Sequence, residues 1–326
     1  MRKVIYISRS NKAGFSIQRV FNAIINNPNN LENTLYEVPC FRANLISLLH
    51  NLKFVYKKRD VNKIHHITGD IHYCILALLG CKTILTVHDL VLLKKTKNIF
   101  KKGIYFLFWY YIPIKFATKV VCISEKTKEE VQRYINRKDI EVITNPISKE
   151  FKREIKEFNN EEPVILHIGT GWNKNLTNVI KALEGVKGQL RIIGKINTVD
   201  LKLLELLKIN FSNVDNINDN EILDEYRKAD IICFPSLFEG FGMPIIEGQA
   251  IGRVILTSSI SPMKEIANNS ALLIDPKSVK SIKKGLLELM NNKEHREFLI
   301  NQGFTNIKKH KADIILAQYK NIYSQI

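Results

Sequence analysis

The chain has 326 residues, of which 45% are hydrophobic, and its 49 Lys and Arg residues against 32 Asp and Glu give a formal net charge of +17. This composition excludes a disordered chain, and the length exceeds what one hydrophobic core usually serves, so we expect two globular domains. The five cysteines are scattered without a Cys-x-x-Cys pair, which favours reduced core residues over disulfides or metal ligands. No signal-peptide pattern precedes the strand-like run 4–7, so the sequence predicts a cytoplasmic protein.

The positive charge favours an anionic partner. No nucleic-acid-binding module is recognisable, so we expect no nucleic-acid partner. A membrane surface fits better, because the basic stretch 94–102 is followed by the aromatic stretch 105–111, as in interfacial helices. The alternative is a solvated charged rim beside a core helix. Pro113 and Lys115 interrupt the longest apolar run, which argues against a spanning helix.

Strand-like and helix-like segments alternate through the first half of the chain, which predicts a doubly wound α/β domain. The predicted strands are 3–8, 35–38, 64–67, 83–87, 119–123 and 140–143, and the predicted helices begin at 16, 44, 72, 102 and 124. The polar stretch 149–162 has loop composition, and we place the domain boundary there.

The alternation restarts in the second half and predicts a second doubly wound domain. Its predicted strands are 164–168, 190–193, 231–234, 254–256 and 271–274, and its predicted helices are 175–184, 200–207, 220–228, 244–250, 279–291, 294–309 and 312–325. Ligands of open α/β sheets usually bind at the carboxyl ends of the strands.

The most informative segment, residues 234–250, reads Phe-Pro-Ser-Leu-Phe-Glu-Gly-Phe-Gly-Met-Pro-Ile-Ile-Glu-Gly-Gln-Ala. A glycine loop with Gly240, Phe241 and Gly242 follows a buried strand and precedes a helix start, where backbone N–H groups favour an anion. Glu247, on the first turns of that helix, could accept hydrogen bonds from ribose hydroxyls, and Glu239 could hold a second ring. The segment therefore predicts a site for a nucleotide joined to a sugar.

The pattern Ser236-x-x-Glu239-Gly-Phe-Gly-x-Pro-x-x-Glu247-x-x-Ala250-x-Gly252 closely resembles the Glu-x7-Glu signature of the retaining glycosyltransferases of family 4. The resemblance implies the GT-B fold, with two Rossmann-like domains facing a cleft and a last helix that crosses back to the first domain. It implies an acceptor-binding domain at 1–148, a nucleotide-sugar-binding domain at 149–308 and a crossing helix at 309–326. It also implies transfer of a sugar from a nucleoside diphosphate sugar without a metal or other cofactor.

A second glycine turn follows the strand 164–168 and leads through Gly169 and Thr170 to Lys174 at a helix start. This arrangement suits a diphosphate, and the Lys174 ammonium would stabilise charge on the leaving group. The family commonly carries an arginine just after the strand glycine, and Thr170 stands at that place. An ordinary solvent-exposed lysine is the alternative interpretation.

In the first domain the strand 83–87 ends at His88, and the resemblance assigns such a histidine to the transferred sugar, with Asp89 orienting it. A histidine at a strand end can also be merely structural. His65, His66, Asp70 and His72 cluster, but adjacent histidines point to opposite faces of a strand, so we expect no metal site. We place Gly14, Arg9, Asp70 and His72 on the acceptor side.

We therefore expect a two-domain hexosyltransferase of retaining stereochemistry. Its catalytic residues would be Glu239, His88 and Lys174, its acceptor a glycan or a lipid-linked glycan, and its setting the synthesis of a bacterial envelope polysaccharide or glycolipid. The alternatives are another GT-B enzyme, such as a sugar-nucleotide epimerase or a phosphorylase, and a non-catalytic basic module that binds a membrane or nucleic acid.

Overall fold

The computed structural model describes residues 3–10, 16–30 and 33–326. The chain forms two compact units, the first made of Met1–Ser148 and Lys311–Ile326 and the second of Lys149–His310. Each unit is built on a parallel six-stranded sheet with helices, as the alternating pattern predicts.

The first unit has the strand order β2-β1-β3-β4-β5-β6. Its strands are β1 Val4–Ser8, β2 Asn33–Glu37, β3 Ile64–Ile67, β4 Lys82–Val87, β5 Lys119–Cys122 and β6 Ile140–Val142. Its α-helices are α1 Ser16–Ile25, α2 Leu45–Lys58, α3 Val91–Lys95, α4 Ile99–Tyr105, α5 Ile112–Phe116, α6 Glu125–Tyr134 and, from the end of the chain, α14 Ala312–Ser324. A 3₁₀ helix spans His72–Leu78, and a π-helical segment, Phe106–Tyr111, joins α4 to α5.

Helix α14 is tied to the first sheet by a buried polar network. The hydroxyl of Tyr323 lies 3.1 Å from the hydroxyl of Tyr6 and 2.8 Å from Nδ1 of His66. The other ring nitrogen of His66 lies 2.8 Å from the Thr86 hydroxyl. Burial lowers the pKa of His66 to about 3, so the imidazole is neutral and its two contacts are those of an uncharged ring.

The second unit has the strand order β12-β11-β10-β7-β8-β9. Its strands are β7 Val164–Ile168, β8 Gln189–Ile193, β9 Phe211–Val214, β10 Ile231–Phe234, β11 Val254–Ser258 and β12 Leu272–Ile274. Its α-helices are α7 Leu176–Ala182, α8 Thr198–Leu206, α9 Asp219–Lys228, α10 Met243–Ile251, α11 Met263–Ala267, α12 Val279–Asn291 and α13 Lys293–Asn306, and 3₁₀ turns span Trp172–Lys174 and Ile307–His310.

The order of the second sheet reverses between β7 and β10, which pair directly. Loops at the carboxyl ends of two such strands diverge to opposite faces and leave a crevice between them, where open α/β sheets bind ligands. The two predicted site segments, 169–174 and 239–242, follow β7 and β10. The topology therefore brings together residues that are far apart in the chain.

Five elements depart from the sequence-based prediction, one of which is the helix expected from residue 72, a 3₁₀ helix in the structure. Strand β9 and the helices α3 and α11 were not predicted, and the helix expected from residue 102 begins at Ile99 and contains the π-helical segment. Strand β9 lies at a sheet edge and is only partly buried, so its sequence carries no apolar run. Among the described residues, no helix is both long and apolar enough to cross a membrane.

Candidate active site

The loop after β7 holds Lys174 in a fixed position. Gly169 has φ +87°, a left-handed conformation that favours glycine, and an added Cβ would lie 3.1 Å from carbon atoms of the Lys174 side chain. Asn175 also has a positive φ, +67°, and its side-chain amide donates to the carbonyls of Pro235 at 3.0 Å and Pro276 at 2.6 Å. Asparagine is one of the few residues that adopt this conformation readily, and its amide anchors the start of α7.

The loop after β10 is bonded directly to the loop after β7. The backbone N–H of Leu237 donates to the carbonyl of Asn173 at 2.7 Å, and the Asn173 amide donates to the carbonyl of Phe238 at 2.9 Å. The same amide lies 3.2 Å from Oε1 of Glu239. These three bonds fix the separation of the loops, so the side chains they carry meet in a defined geometry.

Lys174 and Glu239 form the central contact of the site. The Lys174 ammonium donates to Oε1 of Glu239 at 2.6 Å, and the two side chains are only 24% and 14% exposed. The ammonium also lies 4.9 Å from the centre of the Phe234 ring. Both predicted catalytic groups of this unit are thus in one place, with limited access to water, where charges interact more strongly than at the surface.

Helix α10 begins next to this pair. Its N-cap Gly242 has φ +115°, and Pro244 occupies the first turn, where the missing N–H of proline costs nothing. Glu247 is 5% exposed and accepts a hydrogen bond from the Tyr226 hydroxyl at 2.5 Å. An oxygen–oxygen distance this short is typical of a charge-assisted bond to a carboxylate. Tyr226 therefore sets the orientation of the Glu247 side chain.

The other predicted donor-binding residues surround the same loops. The Thr170 hydroxyl donates to the carbonyl of Lys195 at 2.7 Å, so it supports the loop that follows β8. Phe241 is buried with its ring edge-on to His310 at 5.7 Å between centres, and Gly240 is half-buried. The Glu-Gly-Phe-Gly turn is thus held partly by apolar packing.

Sequence reasoning did not identify four residues that shape this site. Asn173 and Asn175 hold the two loops, Tyr226 orients Glu247, and Trp172, 56% exposed, stacks on Phe238 with a centre distance of 6.5 Å and an interplanar angle of 12°. An asparagine as the first residue of a predicted helix was the one available signal, for Asn175. The other three depend on contacts between distant segments.

In the first unit, the predicted residues gather at the ends of β1, β3 and β4. His88 is buried and its Nε2 donates to the carbonyl of Thr68 at 2.8 Å, and burial lowers its pKa to about 4, so the ring is neutral at pH 7. Arg9 and Asp70 approach to 3.4 Å. Nδ1 of His72 donates to the carbonyl of Trp109 at 2.7 Å, while its buried Nε2 has no hydrogen-bond partner.

The acceptor-side prediction also includes Gly14, which lies outside the described residues. In the cluster that invited a metal assignment, Nε2 of His65 accepts from the backbone of Asp60 at 3.1 Å and His66 belongs to the Tyr323 network. Over the ranges that the structure describes, no group of three or more His, Cys, Asp or Glu side chains is placed to hold a metal ion.

Two family models match this chain, and together they span nearly all of it. The model described as Glycosyltransferase Family 4 matches residues 3–151, and the model described as Glycosyl transferases group 1 matches residues 148–305. The chain belongs to the group 1 glycosyltransferases. The resemblance carried by residues 236–252 is therefore confirmed.

Named relatives of this glycosyltransferase agree with that assignment. An uncharacterised glycosyltransferase of Methanocaldococcus jannaschii is 26% identical over 295 residues, which cover 84% of this chain and 78% of the relative. The O-antigen chain mannosyltransferase RfbU of Salmonella typhimurium is 30% identical over 220 residues, which cover 63% of this chain and 60% of that protein.

Solved structures show the fold. HepE of Anabaena, in complex with UDP and glucose, matches this glycosyltransferase with a TM-score of 0.80 at 10% sequence identity, and the match covers 100% of both chains. The predicted GT-B fold is confirmed.

Proposed function

We propose that this glycosyltransferase moves a hexose-type sugar from a nucleoside diphosphate sugar to an acceptor hydroxyl with retention of anomeric configuration. The bond between the anomeric carbon and the diphosphate oxygen breaks, and a bond from the acceptor oxygen forms on the same face of the sugar. The acceptor proton passes to the departing phosphate, so the reaction requires no protein nucleophile.

The contact between Lys174 and Glu239 carries this proposal. A diphosphate placed beside Lys174 and the N-terminal N–H groups of α10 gains a cation and a helix dipole that oppose the charge growing on the leaving group. Glu239, 2.6 Å from that cation, is then close enough to accept hydrogen bonds from hydroxyls of the attached sugar. One compact site can thus hold both halves of the donor.

We assign the ribose of the donor to Glu247. Its carboxylate is oriented by Tyr226, and it lies on the helix whose N-terminus faces the proposed diphosphate position. The glycine turn 240–242 and the turn at Gly169 and Thr170 would let donor phosphates approach the backbone closely. We propose that no metal ion is needed, because Lys174 and the helix N-terminus supply the positive charge. The roles of His88, Arg9, Asp70, His72 and Gly14 stay predictions.

The acceptor we propose is a glycan or a lipid-linked glycan of a bacterial envelope, and the proposed location is the cytoplasmic side, peripheral to the membrane. The name of the Salmonella relative, an O-antigen chain mannosyltransferase, supports a polysaccharide acceptor.

The test is release of nucleoside diphosphate from UDP-, GDP- and ADP-sugars by the wild type, Glu239→Gln and a matched control, Glu297→Gln, which removes an exposed carboxylate from α13. We expect release from one donor, loss of at least about 100-fold in Glu239→Gln, typical of groups that act on the transition state, and no change in the control. EDTA should leave the rate unaltered.

Analysis of the products of the same assay tests the stereochemistry and distinguishes a transferase from an epimerase. Nuclear magnetic resonance of the product should show the anomeric configuration of the donor, and an inverted configuration would contradict the retaining mechanism. Free sugar formed without any acceptor-dependent product would favour an epimerase instead. Equal loss of activity in Glu239→Gln and Glu297→Gln would overturn the site assignment.

A further inference from the structure

The first unit exposes an unusual amount of apolar surface on two helical segments. Along 99–111 the exposed apolar side chains recur at intervals of one, three or four residues, and Ile99 and Phe100 are 83% and 86% exposed. Helix α2 also exposes apolar side chains, and Leu45 at its start is 72% exposed. The exposed apolar residues of the two segments are Phe41, Leu45, Ile46, Leu49 and Tyr56, and Ile99, Phe100, Ile104, Leu107, Phe108, Tyr111 and Phe116.

These two segments carry a single sign of charge. Residues 38–59 contain five Lys and Arg and residues 91–116 contain six, and neither stretch contains an Asp or Glu. The chain as a whole has 32 acidic residues, so their complete absence here is a local property and not a result of composition. We call these two stretches together the basic apolar face.

Both stretches pack on the same supporting element, the 3₁₀ helix His72–Leu78. The Asn51 amide of α2 donates to the Tyr73 hydroxyl at 2.8 Å, and the Tyr73 ring lies 4.8 Å from the ring of Trp109 in the π-helical segment. One buried tyrosine therefore contacts both stretches, so the two are neighbours in the first unit.

We propose that the basic apolar face is the surface through which this enzyme docks on an anionic phospholipid bilayer. Apolar side chains that enter the boundary between headgroups and acyl chains, flanked by lysines that contact lipid phosphates, are the two components of interfacial binding. A second copy of the chain fits poorly, because two such faces would bring eleven positive charges against eleven. Nucleic acid would leave the exposed Ile, Leu and Phe side chains without apolar contacts.

This inference extends the proposed function by naming the surface that meets the membrane, and its test needs neither donor nor acceptor. Sedimentation with vesicles of phosphatidylglycerol and phosphatidylcholine is compared with sedimentation with phosphatidylcholine alone. We expect binding to the anionic vesicles only, and weaker binding as salt is raised.

Two variants and one control locate the surface. Lys101→Gln/Lys102→Gln should lower the vesicle partition coefficient about 25-fold, from about fivefold per lysine near an anionic surface. Lys280→Gln/Lys284→Gln removes the same charge from α12, which is not part of the basic apolar face, and should change the partition coefficient less than about twofold. Ile99→Ser/Phe100→Ser should weaken binding without altering its salt dependence, and the high exposure of both side chains leaves the fold intact.

Several outcomes would overturn the inference: no binding of the wild type to anionic vesicles, equal losses in the two lysine variants, or a concentration-dependent dimer that Ile99→Ser/Phe100→Ser abolishes. Donor turnover in solution, measured on the same variants, should equal that of the wild type. A wild type that binds anionic vesicles but turns over none of the donors would count against the proposed function alone.

Discussion

Replacing Tyr226 with phenylalanine tests whether Glu247 is held in place for the donor. The change removes one hydroxyl and leaves the ring, which is fully buried, in the same packing. The lost bond is 2.5 Å long and joins the hydroxyl to a carboxylate that is 5% exposed. A hydrogen bond to a charged group contributes about 1.5–3 kcal/mol, and the buried carboxylate loses a donor that water cannot fully replace.

We therefore expect Tyr226→Phe to lower the free energy of unfolding by that amount, which corresponds to roughly 3–12 °C in Tm. If Glu247 binds the ribose, the less constrained carboxylate should raise the KM for the donor up to about tenfold, equivalent to about 1.4 kcal/mol, with kcat little changed. Urea unfolding and initial rates over a donor series measure the two effects, and Tyr134→Phe, at an exposed tyrosine of α6, is the control. A stability loss below about 0.5 kcal/mol, or lost kcat at constant KM, would refute the reasoning.

Three further predictions concern the glycine turn, the buried histidine and the exposed tryptophan. Gly169→Ala should cost about 1–2 kcal/mol of stability and lower kcat by displacing Lys174, whereas Gly80→Ala, at φ +85° with nothing within 4 Å of the added Cβ, should cost stability alone; equal kcat values would contradict this. His66 has a folded pKa of about 3 against the ordinary 6.5, so the stability that its neutral ring contributes above pH 6.5 is lost as pH falls towards 3. In His66→Gln, the free energy of unfolding, measured with urea at several pH values, should therefore change less across that window, by up to roughly 5 kcal/mol. The same pH dependence in variant and wild type would contradict this prediction. Donor binding should change the fluorescence of Trp172, and this change should vanish in Trp172→Phe; a persistent signal would assign it elsewhere.

The sequence predicts the buried elements of this fold best. Strands β3, β7 and β10 and helix α12 have the expected bounds, because continuous apolar runs and helical periodicity identify them without tertiary information. The positions of the candidate site follow from the same pattern, since Glu239 and Lys174 come after predicted strands. Local sequence thus locates the loops, although it does not determine which loops meet.

The pairing of those loops is a tertiary property that the sequence could not supply. Lys174 and Glu239 are 65 residues apart, and they meet because the strand order places β7 beside β10. Tyr226 reaches Glu247 across 21 residues for a similar reason, because α9 and α10 pack near each other. No local pattern distinguishes this tyrosine from one that only fills the core.

The Lys174–Glu239 pair also bears on how a donor would be recognised. Each charge is largely removed from water, and burying either one without its partner would cost several kcal/mol. The ion pair offsets this desolvation cost. A diphosphate that binds as proposed competes with Glu239 for the ammonium, while the Asn173 amide, 3.2 Å from the same carboxylate oxygen, stays in place. Glu239 then has acceptor capacity to offer to sugar hydroxyls at the moment the diphosphate arrives. Binding of the diphosphate would in this way free Glu239 to orient the sugar. An intact nucleoside diphosphate sugar would then bind more tightly than the separate affinities of the nucleoside diphosphate and the sugar predict.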